Sequence, residues 1–75
     1  MKTIVIFGGS GFIGSYIVRR LAKLGFRVIV PTSNLTRVLK LKIYGDVGQV
    51  VGIKLDLLNK IKIRKIIINA DFVIN

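Results

Sequence analysis

The chain has 75 residues, enough for one small unit; below roughly 70–80 residues a single core gives little stability without disulfides, metal or a partner. It has no Cys and no His, which excludes a disulfide framework, a thiolate metal site and a serine–histidine hydrolase, and the lack of Cys fits a reducing compartment. Lys and Arg number 13 against three Asp and no Glu, a net charge of +10; this favours nucleic acid, anionic lipid or an acidic protein surface, although the cations are scattered along the chain and a drift toward Lys, Ile and Asn accounts for the charge as well.

Thr3 to Phe7 reads as a short buried strand rich in β-branched residues. The turn Gly8-Gly9-Ser10-Gly11-Phe12-Ile13-Gly14 follows and leads into a helix from Phe12 to about Leu24. Ile13, Ile17, Leu21 and Leu24 fall at helical spacing as its apolar face, with Arg19, Arg20 and Lys23 outside. Gly25 is a natural residue to stop it. Phe26–Val30 reads as a second strand ended by Pro31, and Thr32-Ser33-Asn34 as a polar turn capping a helix over about Leu35–Ile43.

Gly45, Gly48 and Gln49 make a loop, and Val50–Leu55 forms a third strand closing at Asp56. Asn59 is positioned to cap a helix over Lys60–Ile68. Ile61-Lys62-Ile63 also alternates like a strand, but strand and helix have alternated throughout and that order decides for helix. Phe72-Val73-Ile74 begins a fourth strand. The order β-α-β-α-β-α-β predicts an α/β fold: a parallel sheet with right-handed crossovers, a partial Rossmann (doubly wound) fold in one unit spanning residues 1–75. A half sheet of this kind leaves an unpaired edge and an apolar face to be covered.

A glycine-rich turn between a buried strand and a helix is where a dinucleotide-binding fold holds pyrophosphate. One glycine permits the turn, a second admits backbone N–H groups to the phosphates, and a third lets the helix pack close. The helix N-terminus adds unpaired donors and a partial positive charge. Gly8, Gly11 and Gly14 are spaced G-x-x-G-x-x-G, unlike the G-x-G-x-x-G of common dehydrogenases. The competing reading is that these glycines serve close packing alone.

The run Thr3–Gly14 resembles the opening of the extended and atypical short-chain dehydrogenase/reductase group, the NAD-dependent epimerase/dehydratase-like proteins. Within it, the match is to the branch containing the nucleotide-binding accessory subunit of respiratory complex I and its bacterial homologues. The turn Phe7–Gly14, Val30-Pro31, the loop Gly45–Gln49 and Ala70–Asn75 carry the likeness, and the Gly45–Gln49 loop discriminates best. The resemblance covers nearly the whole chain but only about the N-terminal quarter of a typical member.

That resemblance implies a pyrophosphate site at Gly8, Gly11, Phe12, Ile13 and Gly14, with Ser10 nearby. It directs Thr32, Ser33 and Asn34 toward the adenosine ribose and Asp56 or Leu57 toward the adenine, where the alternative is a loop Asp capping the next turn. An acidic residue after the second strand would hold the 2′-OH of NAD, and an arginine the 2′-phosphate of NADP. Neither occupies positions 32–34, although Arg37 follows shortly. Hydroxyls and positive charge favour NADP(H) slightly over NAD(H).

Reductases of the group use a Tyr-x-x-x-Lys pair. Tyr16 is followed four residues on by Arg20, and Tyr44 by Gly48, so neither matches, and Tyr16 is expected to pack against its helix neighbours. Asp46, Asp56 and Asp71 lie at three separate turns, which gives no paired-carboxylate or metal site. No apolar run approaches the ~20 residues of a transmembrane helix.

Four readings stay open. The first is a non-catalytic NAD(P)-binding module like the complex I accessory branch, partnered by the rest of the fold or a respiratory-complex subunit. The second is the N-terminal piece of an NADP-dependent reductase or epimerase completed by another chain. The third is a basic nucleic-acid-binding protein, the least favoured because the cations form no block, and the fourth is a decayed gene fragment without independent function. The expected location is cytoplasmic, or peripheral at the inner membrane through a complex.

Overall fold

The computed structural model describes residues 1–8, 11–45, 48–54 and 60–74. Among them run β1 (Thr3–Ile6), α1 (Phe12–Lys23), β2 (Arg27–Thr32), α2 (Leu35–Leu41), a 3-10 turn (Lys42–Tyr44), β3 (Val50–Lys54), α3 (Lys60–Asn69) and β4 (Phe72–Ile74). The strands form one parallel sheet in the order β3-β2-β1-β4. Parallel neighbours require crossovers, and the three helices supply them. The expected α/β partial Rossmann architecture is what forms.

Alternation along the strands sorts the sheet into two faces. Ile4, Ile6, Val28, Val30 and Val50 pack with Val18 and Ala22 of α1 and with Val38 and Leu41 of α2. Val5 and Ile29 are buried on the opposite face, where Lys62, Lys65, Ile66 and Asn69 of α3 line a groove with Ile29. The first two crossovers therefore cover one face and the third covers the other, as a doubly wound sheet requires.

The buried face of α1 differs from the expected one. Val18 and Ala22 are its fully buried residues, with Ile17 and Leu21 packed beside them, whereas Ile13 is 73% and Leu24 71% exposed. At about 100° per residue, the face centred between the two rows leaves Ile13 and Leu24 roughly 90–110° from its middle. Small side chains let a helix lie closer to a sheet than Ile or Leu would, so Val18 and Ala22 take the contact. Tyr16, expected to pack, is exposed.

The end of α1 is closed as anticipated at Gly25, which adopts a φ of 93°. Gly25 N donates to Ala22 O at 3.0 Å and Phe26 N to Leu21 O at 3.1 Å, the paired bonds of a Schellman motif. Arg20 and Lys23 sit in the last turn, complementing the helix dipole.

β2 runs through Pro31 instead of stopping there, pairing Pro31 with Ile53 and Thr32 with Lys54. Its donors alternate between neighbours: Arg27 N reaches Lys2 O and Val28 N reaches Gln49 O. By that alternation position 31 faces β1, whose pairing with β2 ends at Ile29. The missing N–H of proline thus falls where the ladder no longer needs it. α2 ends at Leu41 and tightens into the 3-10 turn, two residues short of the expected helix end; such tightening is common at helix termini. α3 is helical throughout, so the strand-like alternation of Ile61–Ile63 is overridden by topology.

Two side chains join separate parts of the chain. Asp71 Oδ2 accepts from Thr3 N at 2.7 Å while Asp71 N donates to Thr3 O at 2.9 Å, which fixes β4 against β1 at their starts. Gln49, read from sequence as a loop residue, is buried, and its Nε2 donates to Ala22 O at 2.5 Å and Phe26 O at 2.9 Å. One amide thereby ties the start of β3 to the end of α1. A Cβ on Gly45 would stand 2.7 Å from Gln49 Oε1, so the Gly-to-Gln spacing of this loop has a steric cause.

Gln49→Ala is expected to destabilise the fold by about 2 kcal/mol through lost hydrogen bonds and packing, and Gly45→Ala by about 1–3 kcal/mol through overpacking. In denaturant melts the double variant is expected to cost less than the sum, because removing the amide relieves the clash. Additive losses would refute the coupling.

Candidate functional site

The sheet reverses its direction of growth between β1 and β4: β2 and β3 lie to one side, β4 to the other. Such a switch point leaves a crevice beyond the carboxyl ends of the two strands, because the following helices depart on opposite faces. The Gly8–Gly14 turn leaves β1 at that crevice. Phe7 N donates to Ile74 O at 2.9 Å, so the two strand ends remain paired up to its floor.

Gly8 has a φ of 76°, a conformation that L side chains rarely adopt. Gly11 N donates to Gly8 O at 3.1 Å, joining the end of β1 to the start of α1. Gly11 is then the N-cap of α1, with φ −77° and ψ 178°, which any residue can adopt. A Cβ on Gly11 would meet Gly8 O at 3.5 Å, an ordinary contact. Backbone conformation therefore calls for glycine at position 8, where a Cβ would meet no atom among the described residues, while neither backbone nor contact calls for it at position 11. Among the described residues Gly8 O is the one atom within 4 Å of a Cβ at Gly11.

α1 carries no side-chain cap and no acidic residue in its first turn. Among the described residues no side chain caps its N-terminal amides or offsets the positive end of its dipole, a favourable setting for an anion. Phe12, Ile13 and Gly14 form that first turn; the exposed Ile13 side chain adds an apolar surface beside the amides. Ser10, Asp56 and Leu57, expected at the pyrophosphate and the adenine, lie outside the described residues, as does the proposed cap Asn59.

Thr32 ends β2 and is buried, not part of an open turn. Its Oγ1 accepts from Asn34 N at 3.0 Å and donates to Asn34 O at 3.4 Å, folding the chain after β2 into a hydroxyl-stabilised turn. Ser33 and Asn34 are exposed. Asn34 stands at the N-cap of α2 without a capping side-chain bond, and Arg37 is exposed in the first turn. Ser33, Asn34 and Arg37 are thus carried on the carboxyl end of the strand beside β1, with Thr32 shaping their turn.

Among the described residues no group of three metal-ligating side chains converges. The residue that sequence reasoning undervalued is Gln49, whose signal was its fixed separation from Gly45. It supports the end of α1 remote from the glycine turn.

The sequence model described as "NAD dependent epimerase/dehydratase family" matches residues 4–75. The NADH dehydrogenase (ubiquinone) 1 alpha subcomplex subunit 9 of Arabidopsis thaliana is 41% identical over 73 residues, covering 93% of this chain and 18% of that protein. The NADH-ubiquinone oxidoreductase 40 kDa subunit of Neurospora crassa is 40% identical over 73 residues, 97% of this chain and 20% of that protein. This chain thus spans about a fifth of the length of these curated relatives. A short chain dehydrogenase from Bacillus anthracis superposes with a TM-score of 0.72 and 29% identity over 88% of this chain and 27% of that one. A serine dehydrogenase from Escherichia coli shares the fold, with a TM-score of 0.71 and 24% identity over 95% and 36% of the two chains.

Gly8→Ala is expected to cost about 1–2 kcal/mol of stability from its left-handed backbone. Gly11→Ser, which keeps a residue suited to the N-cap, is expected to change stability by less than about 0.5 kcal/mol. Thermal melts of the two variants test this; equal losses would return Gly11 to a packing role.

Proposed function

Because this chain belongs to the NAD dependent epimerase/dehydratase family, we propose that it holds a nicotinamide dinucleotide at the switch point, with the pyrophosphate on the amides of Gly8, Gly11, Phe12, Ile13 and Gly14 and Ser10 nearby. The observation that carries this reading is the uncapped, acid-free N-terminus of α1 beside a Gly11 that packing does not require. Ser33 and Asn34, with Arg37 behind them, face the adenosine ribose, while Thr32 sets their turn. Asp56 or Leu57 meets the adenine. No acidic side chain stands at positions 32–34 to take a ribose 2′-OH, so NADP(H) is slightly favoured over NAD(H).

The module is non-catalytic. It carries no Tyr-x-x-x-Lys pair to supply a phenolate base, and Tyr16 and Tyr44 lie in the wrong spacing. Its role is to bind the nucleotide as the N-terminal part of a larger assembly, cytoplasmic or peripheral at the inner membrane; the curated relatives are named as subunits of NADH dehydrogenase. No described helix is long and apolar enough to cross a membrane. A second reading is the N-terminal piece of a reductase or epimerase completed by another chain. It is favoured by β4, whose Phe72, Val73 and Ile74 remain well exposed at the outer edge of the sheet, although Phe72 makes an edge-on contact with Phe26.

A thermal melt with NADPH or NADH at millimolar concentration tests the site. A ligand at ~100 times its Kd adds about 2.7 kcal/mol of stability, so Tm is expected to rise, and more with NADPH. Gly11→Val is expected to fold and to lose the shift, because its side chain fills the space beside the amides. A melt indifferent to both nucleotides would sink the proposal.

A further inference from the structure

We propose that the outer face of α3 docks on the surface of an anionic phospholipid bilayer, independently of any nucleotide at the opposite end of β1. α3 buries Ile63 and turns Ile61 and Ile68 outward, 72% and 76% exposed. These two are seven residues apart and so lie within about 20° of one another on the helix. Lys60 and Arg64 flank this apolar stripe on one side, Lys62 and Lys65 on the other, and the helix has no acidic residue. Lys62 and Lys65 also meet Arg27 around a groove of about 370 Å³ between α3 and the strand starts. The one carboxylate among the described residues, Asp71, is held by Thr3 N.

An exposed isoleucine stripe between two cationic flanks matches the lipid interface. Apolar side chains enter the boundary of headgroups and acyl chains while ammonium and guanidinium groups stay with the phosphates. A nucleic acid or an acidic polypeptide would satisfy the cations and leave Ile61 and Ile68 in water. The helix is ten residues long, about 15 Å, so it lies on the bilayer and does not span it.

The test is co-sedimentation of the chain with vesicles of phosphatidylcholine mixed with phosphatidylglycerol, against pure phosphatidylcholine. Binding is expected to the mixed vesicles only. Each cation near such a surface contributes roughly fivefold, so Lys62→Gln with Lys65→Gln is expected to weaken binding roughly 30-fold. Arg20→Gln with Lys23→Gln, the same charge change on α1, is expected to have a much smaller effect. Equal losses from the two pairs would overturn the proposal in favour of diffuse charge attraction. The chain has no Trp, so Ile68→Trp gives a single reporter, expected to shift its emission to the blue on mixed vesicles and to be quenched by brominated acyl chains. An unshifted reporter would overturn the proposal, as would tighter binding to RNA or polyglutamate than to the vesicles.

Discussion

The parallel pairing of β1 to β2 on one edge and to β4 on the other constrains the rest of the molecule. Two parallel neighbours demand two crossovers, and the handedness of each sends its helices to opposite faces of the sheet. α1 and α2 bury the Ile4 and Ile6 side of β1, while α3 lies over the Val5 side. The carboxyl end of β1 is therefore left between diverging connections, and the glycine turn occupies that opening. Asp71, bonded through both its side chain and its backbone to Thr3, secures the other end of the same strand pair.

From that constraint the chemistry of the turn follows. A strand that must hand over to a helix within a few residues needs a left-handed residue, and Gly8 provides it. The helix then starts without a capping side chain or a first-turn acid among the described residues. At the far end of α1 the situation is reversed: the Schellman bonds, Arg20, Lys23 and the Gln49 amide all serve its carbonyls. Among the described residues the carbonyls of Arg20, Leu21 and Ala22 are paired at the C-terminus of this helix, while its N-terminus has no side-chain cap.

Much of this was legible in the residues. Apolar runs bounded by glycine and polar turns located every strand, and alternation of element types correctly made α3 a helix despite Ile61-Lys62-Ile63. Gly25 announced the end of α1. The misreadings share a cause: local pattern cannot report what lies across a contact. The largest apolar residues at helical spacing pointed to Ile13 and Leu24, but the sheet selected the smaller Val18 and Ala22. Pro31 reads as a strand breaker until the register shows that the adjacent strand has already stopped pairing. Gln49 looks like solvent-facing loop polarity until its amide is found against two carbonyls 23 and 27 residues away in sequence. The glycine turn itself was plain in the sequence, but separating the left-handed Gly8 from Gly11, whose φ any residue adopts, needed the backbone.

The proposed nucleotide site lies at the N-terminus of α1. A two-dimensional amide NMR titration of the chain with NADPH and NADH tests it most directly. The amides of Gly8, Gly11, Phe12, Ile13 and Gly14, together with those of Thr32 to Asn34, are expected to shift with dinucleotide while those of α3 and Asp71 stay fixed. Titration to millimolar nucleotide with no shift at the glycine turn, or with shifts confined to α3, would contradict it.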